Sequence, residues 1–294
     1  MIVVKIFGGL GNQLFQYAFG RRLALERNTE LYFDSSIYSQ SSGSSFTKRD
    51  FELNVFTING KIADEKILSQ FSQSKFNKLF NEFIIRSPFI KSANYLREPH
   101  FQFYQNAMKI GKQVYVNGYW QSEKYFSTIR NQLLTELIPS SSLSSESRSI
   151  YEDMQLHNAI SLHIRRGDYI TDPTNQSIYH TCTLDYYSKA IDYICSKVQL
   201  PKFYVFSDDV EWVKSNLKIN HQIHFIEHNK GKKSYQDLIL MSKCKHNIIA
   251  NSSFSWWGAW LNQHENKLVI APKKWFKLNS INTKDLIPTS WIQL

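Results

Sequence analysis

The sequence has few of the residues that hold small domains together covalently or through metal ions. It contains only three cysteines, Cys182, Cys195 and Cys244, among 294 residues, and none of them forms a CxxC pair. An odd, scattered set of cysteines excludes a disulfide framework and offers no zinc-knuckle pattern. The cysteine content therefore indicates a reducing compartment.

Long apolar runs are also missing. No stretch approaches the roughly 18 continuous apolar residues that a membrane span needs. The amino terminus, Met1 to Phe7, enters an apolar run without a basic segment or a small-residue cleavage site. We interpret this run as a first β-strand and expect a cytoplasmic protein.

Dense runs of positive charge are absent, although the chain is basic. Lys and Arg outnumber Asp and Glu by 35 to 25, which gives a formal net charge of +10. The nearest approach to a basic run is Lys230, Lys232 and Lys233. This distribution favours an anionic small ligand or an anionic surface, and we expect no nucleic-acid partner.

The patterns that usually hold a catalytic metal or a covalent nucleophile are missing as well. No DxD triplet occurs, and the adjacent Asp208 and Asp209 make a poor chelate and a better helix cap. His221, His224 and His228 would share a face only on a helix, whereas the residues around them predict a strand. No nucleophile elbow or Walker loop is found. We therefore expect no metal cofactor and no covalent intermediate.

What is present is ample material for two cores. Hydrophobic residues make up 42% of the chain and aromatic residues 15%, and 294 residues suggest two domains. A serine-rich segment over 139–149 marks a candidate boundary, although the same serines could instead cap a helix. We predict one domain over 1–150 and another over 151–294, with an extreme C-terminus that could pack back on the first.

Strand and helix patterns alternate along both halves. In the first half we predict strands at 2–7, 30–33 and 113–117, a helix at 12–27, a loop at 35–45 and helical structure at 61–86. In the second half the alternation is regular and indicates right-handed βαβ units in a parallel sheet, whose ligands bind beyond the carboxyl ends of the strands. The predicted strands there are 158–164, 203–206, 223–226, 246–250 and 267–271, and the helices are 183–198, 209–217, 234–243 and 255–263.

The most informative segment is His163 to Tyr169, which closes the first strand of the second domain. Alternation along the strand places His163 and Arg165 on one face. The guanidinium group offers a rigid fork of donors that matches the oxygens of a diphosphate. The other interpretation is an Arg–Asp network that fixes the turn, because surface ion pairs of this kind are common.

A second candidate site is Asn251-Ser252-Ser253-Phe254, which lies between a predicted strand and a tryptophan-rich helix. Hydroxyls and free N–H groups at a helix N-terminus can bind an anion. Ordinary N-capping by Asn251, Ser253 or Ser255 explains the pattern equally well. The tryptophans at 256, 257 and 260 have the spacing of core residues.

A glycine turn, Gly8 to Gln13, follows the first predicted strand. It lacks the third glycine of a dinucleotide fingerprint, because Leu14 stands at that position. The turn still places backbone N–H groups and the Asn12 amide at the top of the first sheet.

Taken together, these segments resemble glycosyltransferase family 11, the bacterial-type α-1,2-fucosyltransferases. The HxRRxD element is shared with α-1,6 and protein O-fucosyltransferases, so it indicates the donor more than the linkage. The matching segments span the chain and are Gly8 to Ala18, His163 to Tyr169, Asp237 to Ser242 and Asn251 to Leu261.

The resemblance implies a GT-B architecture, with two Rossmann-like domains whose parallel sheets face a cleft. It implies an inverting, metal-independent transfer of L-fucose from GDP-fucose to the 2-hydroxyl of a terminal galactose. The acceptor would be a galactose-containing oligosaccharide or a lipid-linked glycan, as in O-antigen or polysaccharide biosynthesis, and the enzyme could associate peripherally with the inner membrane face. A fucosyltransferase of another linkage, such as α-1,6, and a non-catalytic GDP-sugar or glycan-binding module remain the alternatives.

The resemblance also assigns residues. Arg165 and Asp168 are the expected catalytic residues, with Arg165 on the diphosphate and Asp168 either a base or the partner that orients an arginine. The expected donor-binding residues are Asn12, His163, Arg165, Ser252, Ser253 and Phe254. The segment from about 35 to 110 matches no motif, so acceptor recognition has no residue assigned to it.

Overall fold

A computed structural model describes residues 1–39, 49–71 and 93–294, which divide into two compact units. Unit 1 comprises Met1–Ser140 with Asn282–Leu286, and unit 2 comprises Ser141–Ile281 with Ile287–Leu294. All three cysteines are free. Among the described residues, no helix is both long and apolar enough to cross a bilayer.

Unit 1 is a parallel sheet with the described strands in the order β3-β2-β1-β5-β4. Its longest described helix, α1, follows β1 directly. It packs so closely on the sheet that a Cβ on Gly20 would lie 2.3 Å from Val4 Cγ2. The elements of unit 1 are β1 (Ile2–Lys5), α1 (Leu10–Glu26), β2 (Leu31–Asp34), β3 (Lys61–Ile62), α2 (Glu65–Ser69), β4 (Tyr95–Arg97), β5 (Val114–Asn117) and α3 (Arg130–Glu136).

Unit 2 is a second parallel sheet, with the described strands in the order β11-β10-β9-β6-β7-β8. Its strands are β6 (Asn158–Ile164), β7 (Pro201–Ser207), β8 (Gln222–Ile226), β9 (His246–Ile248), β10 (Val269–Ala271) and β11 (Ile292–Gln293). Its helices are α4 (Ser145–Gln155), α5 (Gly167–Thr171), α6 (Pro173–Ile178), α7 (Leu184–Cys195), α8 (Val210–Asn216), α9 (Tyr235–Lys243) and α10 (Ser253–Leu261).

Strand β6 lies at the centre of unit 2 because both of its faces are covered. Leu162 and Ile164 join a buried cluster on one side, while Ala159 joins a second cluster on the other. The buried hydroxyl of Ser161 accepts a hydrogen bond from Asn247 Nδ2 at 2.7 Å. The strand therefore rigidly fixes the residues that follow its carboxyl end.

The α/β fold class predicted from the sequence is confirmed, and the tryptophans of α10 lie in the core as expected. One correction is that Lys61 and Ile62 form a short strand rather than the start of a helix. Strand β6 ends at Ile164 as predicted, so Arg165 lies just after the strand and not on its face beside His163, which is a second correction. The loop prediction over 40–45 and the helical prediction over 72–86 lie outside the described residues.

Candidate functional site

His163 is the last but one residue of β6 and is almost fully buried, at 6% exposure. Burial lowers its pKa to about 3, and the neighbouring positive charge of Arg165 acts in the same direction. The imidazole is therefore neutral at physiological pH. Its Nδ1 has no hydrogen-bond partner among the described residues, and a ligand that supplied one would remove the cost of that buried polar atom.

Arg165 is clamped between two carboxylates. Its NH2 lies 2.5 Å from Asp168 Oδ1, and its NH1 lies 2.9 Å from Asp208 Oδ2. The guanidinium carbon is 5.5 Å from the centre of the Tyr169 ring. Two neighbours on α5, Asp168 and Tyr169, and one just after β7, Asp208, fix the direction of the fork, and a fixed fork favours bidentate recognition of an anion.

Asp208 is a site residue that the sequence analysis did not single out beyond a capping role. The register of β6 and β7 pairs Ile164 with Ser207, so the residues that follow them, Arg165 and Asp208, lie next to each other. Asp208 also accepts the Arg166 N–H at 2.9 Å. A Cβ on Gly167 would lie 2.5 Å from Asp208 Oδ2, so a larger residue there would displace the Asp208 carboxylate. Strand pairing, rather than any motif, was the signal that could have identified it.

Arg166 has different surroundings from Arg165. Its guanidinium carbon lies 3.4 Å from the centre of the Trp212 ring, and its Nε lies 3.3 Å from Asp209 Oδ2. Asp209 also accepts the Trp212 N–H at the start of α8, which confirms the predicted helix cap. Arg166 is thus stacked on the helix that follows β7.

Helix α10 begins at Ser253 without a side-chain cap. Ser252 is the N-cap residue and has extended backbone, and its hydroxyl caps no N–H. The Ser255 hydroxyl donates to the Ser252 carbonyl at 3.3 Å. Asn251 instead donates to the carbonyls of His180 and, at 2.9 Å, Trp275. Among the described residues, the first-turn N–H groups of this helix keep the capacity to bind an anion.

Phe254 connects this helix to β6. Its ring centre lies 6.2 Å from that of His163, and its side chain packs at the margin of the second core cluster. The structure therefore brings His163 and Phe254 together, and separately brings Arg165 and Asp168 together, all in unit 2.

Asn12 lies in unit 1, in the first turns of α1. Its Oδ1 accepts a hydrogen bond from Gln121 Nε2 at 2.8 Å. The preceding Gly8 has a φ of +79°, and a Cβ there would lie 2.6 Å from Asn12 Nδ2. The glycine turn is thus needed to bring the backbone up against the Asn12 amide.

The N-terminus of α1 is occupied by the chain itself. Glu52 Oε2 accepts the Leu10 N–H at 3.1 Å, and the Gln13 amide donates to the carbonyls of Gly8 and Asp50. Burial raises the pKa of Glu52, while the Leu10 N–H acts in the opposite direction. An internal carboxylate stands where an anionic ligand would bind.

Two further half-buried residues with carboxyl groups, Asp237 and Glu98, were not predicted as site residues. Burial raises the pKa of Asp237 to about 7, and Asn229 Nδ2 donates to its Oδ1 at 2.8 Å. Burial likewise raises the pKa of Glu98 to about 7, and this side chain accepts the N–H groups of Tyr119 and Trp120. No group of three or more His, Cys, Asp or Glu side chains within residues 1–39, 49–71 and 93–294 could hold a metal ion.

Comparison with known proteins assigns the chain to a family. The family model described as "Glycosyl transferase family 11" matches residues 1–294. The chain belongs to glycosyl transferase family 11. It is 33% identical to an Escherichia coli alpha-1,2-colitosyltransferase, covering 100% of this chain and 99% of that relative. It is 35% identical to the E. coli O-antigen biosynthesis glycosyltransferase WbnK, covering 98% of each.

Family 11 membership makes the chain a glycosyltransferase. The fold agrees with that of a solved structure, Arabidopsis thaliana FUT1 in complex with GDP. The two chains superpose with a TM-score of 0.52 at 13% identity, over 91% of this chain and 69% of that one. A likeness at 13% identity concerns the fold alone. The substrates of this family 11 member are therefore inferred from the residues of its own site.

Proposed function

We propose that this family 11 glycosyltransferase transfers L-fucose from GDP-fucose to the 2-hydroxyl of a terminal galactose, with inversion and without a metal ion. The observation that carries the proposal is the guanidinium of Arg165, held by Asp168 and Asp208 at the carboxyl end of β6. A bond forms between the acceptor oxygen and C1 of fucose while the bond from C1 to the GDP oxygen breaks. The departing GDP gains negative charge, and the acceptor hydroxyl releases its proton to solvent.

Preorganised donors aimed at that growing charge would lower the barrier. We assign this task to Arg165 and to the free N–H groups at the start of α10. Asp168 is bound to Arg165, which favours the role of orienting the arginine over that of a base. His163 and Phe254 would contact the guanine nucleotide, with Ser252 and Ser253 beside its phosphates, and Asn12 stays a predicted donor-binding residue.

A second candidate donor is GDP-colitose, because a relative that spans the whole chain at 33% identity is a colitosyltransferase. Colitose is fucose without its 3-hydroxyl, so one proposed site could accept either sugar. A site that hydrogen-bonds the 3-hydroxyl discriminates strongly against the sugar that lacks it. The ratio of kcat/KM for the two donors therefore distinguishes the candidates.

The decisive experiment offers GDP-fucose, GDP-colitose and UDP-glucose to the protein with a set of galactose-terminated glycans. We expect GDP-fucose to raise the melting temperature, because a ligand bound only by the native state stabilises it. Linkage analysis of the product should show an α-1,2 bond. Equal stabilisation by UDP-glucose, or an α-1,6 product, would contradict the proposal, and donor binding without transfer to any glycan would indicate a binding module.

The proposal also includes metal independence and a place of action. We expect EDTA to leave the transfer rate unchanged. A rate that is lost in EDTA and recovered with Mg²⁺ or Mn²⁺ would overturn the role given to Arg165.

An acceptor related to O-antigen, carried on a lipid, would place the enzyme in the cytoplasm at the inner face of the membrane. The relative WbnK supports this class of acceptor.

A further inference from the structure

Two leucines are far more exposed than any other large apolar side chain among the described residues. Leu200 is 91% exposed and Leu156 is 81% exposed, whereas the next such residue, Ile138, is 56% exposed. Single exposed leucines are ordinary, but two neighbouring ones form a feature that requires an explanation.

These leucines lie side by side at one edge of the unit 2 sheet. Leu156 comes just before β6 and Leu200 just before β7. The register pairs Asn158 with Pro201, and Asn158 Nδ2 donates to the Gln199 carbonyl at 2.7 Å. Parallel strands all begin at the same edge, which we call the amino edge, opposite the edge that carries Arg165. It consists of the connections 156–157, 196–200, 217–221, 244–245 and 262–268.

The amino edge is basic. Lysines occur in four of its five connections, and Glu265 is the one acidic residue in them. Lys243, the last residue of α9, adds a further positive charge beside them. Of these lysines Lys197, Lys218 and Lys243 are exposed. A positive surface with protruding apolar side chains has the chemistry of a segment that binds anionic lipid headgroups and inserts shallowly.

Leu200 contributes little to folding. Its backbone has a φ of +46°, in the left-handed region that favours glycine or asparagine and that a bulky side chain occupies at a cost. Almost all of its side chain faces solvent, so packing does not offset that cost. A role outside the folded unit accounts for a leucine at this position.

We propose that the amino edge of unit 2 is a docking surface for a membrane that contains anionic lipids. Leu156 and Leu200 would enter the headgroup region, and the lysines around them would bind the lipid phosphates. The inference specifies the surface for the membrane association included in the proposed function, and it does not depend on which sugar or acceptor is used.

The first test is sedimentation of the full chain with vesicles of phosphatidylcholine, with and without phosphatidylglycerol. We expect binding to the anionic vesicles that weakens with salt. The double variant Leu156→Asn, Leu200→Asn should lose more than about tenfold in vesicle affinity. Its melting temperature should not fall, and transfer to a soluble acceptor should continue at the parental rate. The matched control is Leu278→Asn, an exposed leucine elsewhere in unit 2.

The second test removes charge. We expect the triple variant Lys197→Gln, Lys218→Gln, Lys243→Gln to lose more than about tenfold in affinity for anionic vesicles. The control with the same change in net charge is Lys66→Gln, Lys109→Gln, Lys284→Gln in unit 1, which should bind almost as the parent does.

Three results would overturn the inference: equal binding to neutral and anionic vesicles, equal loss in the two lysine sets, or a dimer that the leucine variant abolishes while no vesicle binding is seen. Failure of the proposed function would appear differently, as vesicle binding by a protein that transfers no sugar.

Discussion

Helices α1 and α10 both begin just beyond the carboxyl end of a parallel strand, yet their N-termini differ. At α1 a half-buried carboxylate of the chain, Glu52, accepts the Leu10 N–H. At α10 no side chain within the described part of the chain caps the first turn, and the N-cap hydroxyl of Ser252 is not used for capping. Both helix ends attract negative charge. One is already neutralised by the fold, and the other retains its capacity for a ligand.

The two helix ends differ in the opposite way from what their local sequences suggest. The glycine turn before α1 resembles a nucleotide-binding turn more than the serine-rich turn before α10 does. The tertiary structure nevertheless fills the first with Glu52 and places the second in the unit that carries Arg165 and His163. We therefore expect donor binding to depend mainly on unit 2 residues and to be nearly insensitive to loss of the Glu52 carboxylate at the α1 terminus.

The largest expected effect separates Arg165 from Arg166. Arg165→Lys keeps the charge but cannot bridge Asp168 and Asp208 while presenting a planar fork. We expect kcat/KM for GDP-fucose to fall about 100-fold or more, the loss typical of one electrostatic donor to a transition state. Initial rates across a GDP-fucose series at saturating acceptor measure this.

Arg166→Lys is the matched control for Arg165→Lys. It loses the stacking on Trp212, and it should retain more activity than Arg165→Lys. Both variants should melt within a few degrees of the parent, because each alters a partly exposed ion pair worth about 1 kcal/mol or less. Near-parental turnover by Arg165→Lys, or greater damage from Arg166→Lys, would contradict the assigned diphosphate ligand.

The next effect concerns the buried, neutral His163. Its folded pKa of about 3 lies below the value of an unfolded histidine, so between these pH values the unfolded chain binds the proton and the folded chain does not. The neutral His163 makes its full contribution to the free energy of unfolding above about pH 6.5. Acidification to pH 5 lowers that free energy by roughly 2 kcal/mol.

We expect the free energy of unfolding to drop less between pH 7 and pH 5 in His163→Gln than in the parent. Denaturant titrations at the two pH values measure the difference. His100→Gln, which changes an exposed histidine in unit 1, should keep the parental drop. An unchanged drop in His163→Gln would show that this histidine does not carry the expected linkage.

A smaller effect tests the open terminus of α10. Ser253→Pro removes one N–H at the first helical position, where proline fits, and the extended Ser252 suits a following proline. We expect GDP to bind about tenfold more weakly, since a hydrogen bond to a charged group contributes roughly 1.5–3 kcal/mol. Calorimetric titration with GDP measures it.

The matched control for Ser253→Pro is Ser145→Pro, the same change at the first position of α4. We expect that variant to bind GDP as the parent does and to show a similar melting temperature. Equal weakening in both variants would mean that the loss comes from the general effect of the proline and not from the N-terminus of α10.

The smallest effect tests the closed terminus of α1. Glu52→Gln keeps an acceptor for the Leu10 N–H and removes a buried charge. Since burial raises the pKa of Glu52, the carboxylate lowers stability as the pH rises through its folded pKa, and glutamine should relieve this penalty. We expect GDP affinity to change less than about twofold. A loss as large as that of Ser253→Pro would break the contrast between the two helix ends.

Much of the fold could be read from the chain because strong local patterns decide it. The apolar run at 158–164 predicted β6 with its observed bounds, and most later elements of unit 2 were predicted within a few residues of their ends. The short helices α5 and α6, which follow the HxRRxD element, were not predicted. Five or six residues carry too little periodicity to be recognised against a turn.

The sequence by itself determined the alternating parallel architecture, the family resemblance, and the placing of His163, Arg165 and the Ser252 turn at the carboxyl ends of strands. Only the tertiary structure decided how those groups are held. Asp208 reaches Arg165 because β6 and β7 pair in register, and Glu52 closes α1 from 42 residues along the chain. Contacts between residues distant in sequence depend on the packing of whole elements, and no local pattern of side chains encodes them.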